Sequence, residues 1–236
     1  LRRSLFVLVV VVLGTSATVV YELNFGRFSP RSIPVFVVSI LGSFALITSF
    51  AVWTATRLGL PTSLLFFDLP ARRRWTRFAG YGLGLGVLIY LTNRAVYLTS
   101  TTQPLRPWYV ANIDSQLGLF VLAARSAVLE ETFFRLFAIP FLASLVMRAI
   151  YGWRPHISFD RKVAAEPIAV AEPPRSVIVF AVVASALLFG LHHPLYPLPA
   201  VAFGLTLGVI YLRAGWESAV VAHFLGNYLL FAGIYL

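Results

Sequence analysis

The chain has 236 residues, 59% of them hydrophobic and only 12% charged, about half the charged share of an ordinary soluble domain. That composition excludes a soluble globular domain and marks an integral membrane protein with several spans. The absence of cysteine excludes disulfides, thiolate nucleophiles, iron–sulfur clusters and lipidated cysteines, and the net charge of +10 has a membrane explanation. Its basic residues group between apolar segments, as at Arg72, Arg73, Arg74 and Arg77 and at Arg148, Arg154, Arg161 and Lys162. Such grouping fits the positive-inside bias of membrane proteins, so no nucleic-acid partner is expected.

A spanning helix needs about 20 mostly apolar residues. The first expected span is 4–22, retained because no clear cleavage site follows it. The second is 32–53, after Pro30–Arg31. Residues 58–70 are short and proline-bounded and read as an interfacial segment or loop. The third span is 78–99; its glycines at 80, 82, 84 and 86 do not all share one helix face but permit close helix contacts. A polar connector over 100–114 leads to an apolar stretch from Gln116 to Ile150. Pro140 makes that stretch one bent helix or two pieces, and Asp114 and Gln116 fall in its capping region. The hydrophilic segment 151–175 is a loop, and spans follow at 176–191, 199–212 and 217–235.

The expected fold is thus all-α and polytopic, with about seven transmembrane helices. Residues 1–112 hold the N-terminal helices and connectors, and 113–236 hold the core with the polar motifs. Charge counting places the loops 54–77 and 151–175, with the N-terminus, in the cytoplasm. One conflict results. Simple crossings put His193 near the outer end of its helix and His223 in the inner third of another.

Ionised side chains are costly in a membrane and are kept there mostly for function. Glu130 and Glu131 lie deep in an apolar stretch with Arg135 behind them. Glu131 and Arg135 are four apart and can pair, which leaves Glu130 to take or give a proton. Arg125, five residues before Glu130, suits a structural or cavity role. Phe189 and His193 share a face, Gly190 allows a second helix to approach, and Pro194 ends the helix. The adjacent His192 then points elsewhere. His223 and Asn227 also share a face, and Asn227 could hold a water or donate to an oxyanion. Glu217 suits the first turn of its helix, where a negative charge meets the helix dipole. A carboxylate, two imidazoles and an amide on separate helices can deprotonate a water and stabilise a tetrahedral oxyanion. Glu130, His193 and His223 could equally ligate zinc.

In these motifs the chain resembles the CPBP intramembrane proteases, also called the Abi or type II CAAX prenyl endopeptidase family. Glu130-Glu131…Arg135 matches its EExxxR, Phe189…His193 its FxxxH and His223…Asn227 its HxxxN, in order, within about 115–235. The resemblance implies that Glu130 is the general base and that His193 helps hold the water. It implies that His223 and Asn227 stabilise the oxyanion or complete a metal site, and that Arg135 is the structural partner of Glu131. It also implies a bacterial cell-membrane protein among lipids, acting on peptides or prenylated CAAX-like proteins. Members often carry glycine after the arginine; here Leu136 stands there. Two other readings compete: a non-catalytic accessory subunit of a membrane protein complex, and a transporter using Arg94 and Arg125, for which no inverted repeat is visible.

Overall fold

A computed structural model of the chain describes residues 33–62, 71–99, 115–152, 172–194 and 196–235. They form six helices. Helix α1 is Ile33–Arg57; α2 runs through Ala71–Arg77, a π-helical Phe78–Gly84 and Leu85–Thr99; α3 is Gln116–Tyr151. Helix α4 is Arg175–His192, α5 is Pro197–Ala214 and α6 is Trp216–Tyr235. The six expected spans that fall on described residues are all helices. Among the described residues, four helices are long and apolar enough to cross a membrane: Val38–Arg57, Gln116–Tyr151, Arg175–His192 and Pro197–Ala214. The expected span 4–22, the connector 100–114 and most of the loop 151–175 lie outside the described residues.

The other two helices, α2 and α6, mix small and polar residues with their apolar ones. Helix α2 carries its four glycines and then Thr92, Asn93 and Arg94. Helix α6 packs against α2, α3 and α5, so polar residues on its flanks, Ser218 and His223, are buried in protein rather than lipid. By contrast α4 is apolar on both sides: Ala181, Ala186 and Phe189 face the core, while Phe180, Leu187 and Leu191 stay exposed, as a lipid-facing helix requires.

Local chemistry sets the boundaries. Ser115, just after the expected Asp114, caps α3: its side chain accepts from the Gly118 N–H at 3.1 Å. Residues 132–138 of α3 are π-helical, and Pro140 follows within the same continuous helix. Proline removes a backbone donor and crowds the carbonyl four residues back, which the wider turn accommodates; α3 is therefore one helix, not two. The basic group 71–77, expected within a loop, is the first two turns of α2. Arg77 Nη1 donates to the Arg213 carbonyl oxygen at the end of α5. Only Gly215, with φ 84 and ψ 172, joins α5 to α6, a backbone region essentially restricted to glycine.

Small residues set the helix spacing. Gly82 lies against Ser218, Gly86 against Ala222 and Gly226 against Ile89, so α2 and α6 run parallel in close contact. Gly80 has nothing near it and Gly84 only its own helix, in line with the glycines not sharing one face. A side chain at Gly190 would meet Val201 and come within 2.9 Å of the Pro197 oxygen. We predict that Gly190→Ala destabilises the α4–α5 pair by about 1–3 kcal/mol, the usual cost of overpacking, whereas Gly80→Ala is neutral. Thermal unfolding of both variants in one detergent checks this; equal melting temperatures would refute the close packing at Gly190.

Candidate active site

The polar residues form two layers between α3, α4 and α6. The inner layer is fully enclosed. Glu131 is 0% exposed, Arg135 1% and His223 1%. Arg135 Nε lies 3.2 Å from Glu131 Oε2, its Nη2 donates to the Gly204 carbonyl oxygen on α5 at 3.2 Å, and its guanidinium carbon sits 4.6 Å from the centre of the Phe189 ring. On its other oxygen, Glu131 meets His223 Nδ1 at 2.8 Å. A carboxylate can only accept here, so His223 Nδ1 carries the proton and Nε2 is turned outward.

Toward that Nε2 lies the outer layer, where Glu130 is 16% exposed and His193 36%. Glu130 Oε2 is 3.5 Å from His193 Nε2 and 3.9 Å from His223 Nε2. Glu130 Oε1 accepts from Ser126 Oγ at 3.0 Å. His193 Nδ1 lies 2.8 Å from the Phe189 carbonyl oxygen, so this nitrogen too holds the proton. Three atoms that accept hydrogen bonds in the neutral state thus converge, and Glu130 Oε2 has no hydrogen-bond partner of its own. Spacings of 3.5–3.9 Å suit a bridging water better than direct bonds.

The conflict in depth between the two histidines disappears once the start of α6 is located. Trp216 is 0% exposed and Ser218 lies against Gly82, so α6 begins inside the protein. Ala222 packs on Gly86, about 21 Å along α2 from Arg72 at 1.5 Å per residue. Phe189 is about as far along α4 from Arg175 by the same rise, and its ring lies 6.0 Å from that of His223. His193 is the C-cap of α4, outside the helix, and its ring turns back over Phe189 at 4.4 Å.

Of the residues singled out in the sequence, Glu130, Glu131, Arg135, Phe189, His193 and His223 come together. Asn227 is half-buried one turn beyond His223, and no hydrogen bond joins it to the group among the described residues. His192 is exposed, with its ring 5.8 Å from Phe134. Arg125 is half-buried, and Glu217 lies in the first turn of α6. Leu136, which stands where relatives often have glycine, is a fully buried core residue. Two features went unseen in the sequence. Ser126 stands four before Glu130, a spacing that could have flagged it. The Glu131–His223 contact joins residues 92 apart and has no local signal. Among the described residues no group of three or more His, Cys, Asp or Glu meets the geometry of a metal centre. The three acceptors nevertheless have the chemistry of zinc ligands, with both Nδ1 atoms bonded outward as partners of ligating histidines commonly are.

The comparisons agree with this arrangement. A family description, type II CAAX prenyl endopeptidase Rce1-like, matches residues 113–229. Over those residues the chain belongs to the CPBP/Abi-like family of intramembrane proteases. No curated protein and no solved structure matches it.

Removing one partner of a buried ion pair leaves an uncompensated charge, at a cost of about 3–5 kcal/mol. We therefore expect Arg135→Ala to lose its fold in detergent while Ser126→Ala keeps it. Size-exclusion profiles and melting curves check both; a normally folded Arg135→Ala protein would show that the inner layer does not hold the helices.

Proposed function

We propose that the chain is an intramembrane endopeptidase that uses Glu130 and His193 to activate water. The supporting observation is the convergence of Glu130 Oε2, His193 Nε2 and His223 Nε2 while both Nδ1 atoms are tied elsewhere. A water at this point donates one hydrogen to Glu130 and is steered by His193. Glu130 takes the proton as the water oxygen attacks the carbonyl carbon of the scissile peptide. The Asn227 amide offers a donor to the resulting oxyanion, and His223, held by Glu131, faces the same point. When the C–N bond breaks, Glu130 returns the proton to the leaving nitrogen. Glu131 positions His223, and Arg135 neutralises Glu131. Ser126 fixes the rotamer of Glu130.

A zinc ion on Glu130, His193 and His223 is the second way this set could activate the same water, since a bound metal acidifies its water. The substrate is a membrane-associated peptide; the family description suggests the C-terminal tripeptide of a prenylated CAAX-like protein. Relative to an accessory subunit of a membrane complex, catalysis is favoured by the partial exposure of Glu130 and His193. A purely structural lock would not need to leave them open.

The test is cleavage of a peptide library, farnesylated CAAX peptides included, by the purified protein in liposomes. Glu130→Gln and His193→Ala should each lower the rate by about 10²-fold or more, as loss of general-base catalysis does, with unchanged melting. Loss of cleavage with a chelator, restored by zinc, would assign the metal. Cleavage that survives Glu130→Gln would sink the proposal. A folded protein for which no peptide is cleaved would favour the accessory reading. Ser126→Ala, which removes a hydrogen bond to a charged group, should cost about tenfold in kcat; a rate unchanged from the parent would deny Ser126 its positioning role.

A further inference from the structure

We infer that the cleft opens on the extracytoplasmic side of the membrane. Its substrate would then be an extended segment of a membrane-anchored protein at that surface; the substrate part of this inference rests on the protease reading above. The argument starts from where the arginines sit. Arg57 ends α1, the arginines of 72–77 begin α2, Arg148 is in the last turn of α3, Arg175 begins α4 and Arg213 is in the last turn of α5. The parallel contacts of α2 with α6 and the bond from Arg77 to the Arg213 carbonyl put these helix ends on one side. Toward the opposite ends of the described helices lie two arginines, Arg94 and Arg125. Eight against two is a strong bias, and such a bias marks the arginine side as cytoplasmic.

The accessible half of the site lies toward the other side. Glu130 is 18 residues from Arg148 on α3, about 27 Å at 1.5 Å per residue, and His193 is as far from Arg175. The hydrocarbon core is only about 30 Å thick, so the outer layer stands near the surface away from the arginines. From that direction the enclosed layer of Glu131, Arg135 and His223 forms the floor of the cleft. The rim beside His193 is apolar and open: Leu191 is 75% exposed, Tyr196 46% and Leu198 80%. It fits a peptide whose apolar side chains lie at the membrane surface. Access from this side narrows the substrate named above to membrane-associated peptides other than a prenylated protein of the cytoplasmic leaflet, which would meet the arginine-lined end instead.

The chain contains no cysteine, so single cysteines report cleanly. Tyr196→Cys marks the rim and Thr76→Cys the arginine end; both positions are exposed and neither belongs to the catalytic group. Spheroplasts producing each full-length variant are treated with a membrane-impermeant maleimide, before and after permeabilisation. The expected result is full labelling of Tyr196→Cys in intact spheroplasts and labelling of Thr76→Cys only after permeabilisation. Any other pattern overturns the orientation, whatever the catalytic activity. In a second arm, intact spheroplasts receive an impermeant peptide that the reconstituted protein cleaves. Its cleavage, lost on Glu130→Gln, is expected, and cleavage only after permeabilisation refutes the proposed access. If the reconstituted protein cleaves nothing, the protease reading fails, while the labelling still decides which face the rim occupies.

Discussion

Everything in the core depends on keeping Arg135 and Glu131 ionised where water does not reach. A buried ion pair repays its desolvation only with good geometry and further hydrogen bonds. Here those extra partners come from three other helices: the Gly204 carbonyl of α5, His223 of α6 and the ring of Phe189 on α4. The electrostatic need of one charged pair on α3 therefore decides how the other helices meet. The same need explains why the phenylalanine of the FxxxH motif is aromatic. Phe189 presents one ring to both the Arg135 guanidinium and the His193 imidazole.

A division of labour between two adjacent glutamates follows. Successive residues on a helix point about 100° apart, so Glu131 can lie fully enclosed while Glu130 looks into the cleft. His223 joins the layers, with one ring nitrogen on Glu131 and the other facing Glu130. The π-helical turn begins at the next residue, Thr132. Such turns occur often at functional sites, and here Ser185 of α4 donates to the carbonyl oxygen of Phe134 within it.

The chemistry of the site was legible in the sequence where charge contradicted its surroundings. Glu130, Glu131 and Arg135 stand out in an apolar stretch, and helical spacing alone predicts the Glu131–Arg135 pair. The family resemblance selected His193 over His192, and the structure puts His193 against Glu130. What the sequence hid were relations across helices. No spacing rule links Glu131 with His223, and hydropathy does not reveal that α6 starts inside the protein at Trp216. That depth shift produced the apparent conflict between the histidines. The residues 71–77 read as loop because they are basic, yet arginine is a good helix former and the helix carries on past the apolar boundary. Hydropathy did locate the six expected spans that fall on described residues, α1 to α6.

The joint at Gly215 gives this design a mechanical property. One residue connects α5 to α6, and the Trp216 that follows is wedged in the core. The Gly204 carbonyl and His223 sit on either arm of this joint, and both are anchored to the Arg135–Glu131 pair. The two arms form a stiff rear wall that cannot hinge without breaking the buried charges apart. Any change of shape at the cleft must then come from the front, where His193 stands just beyond the last turn of α4.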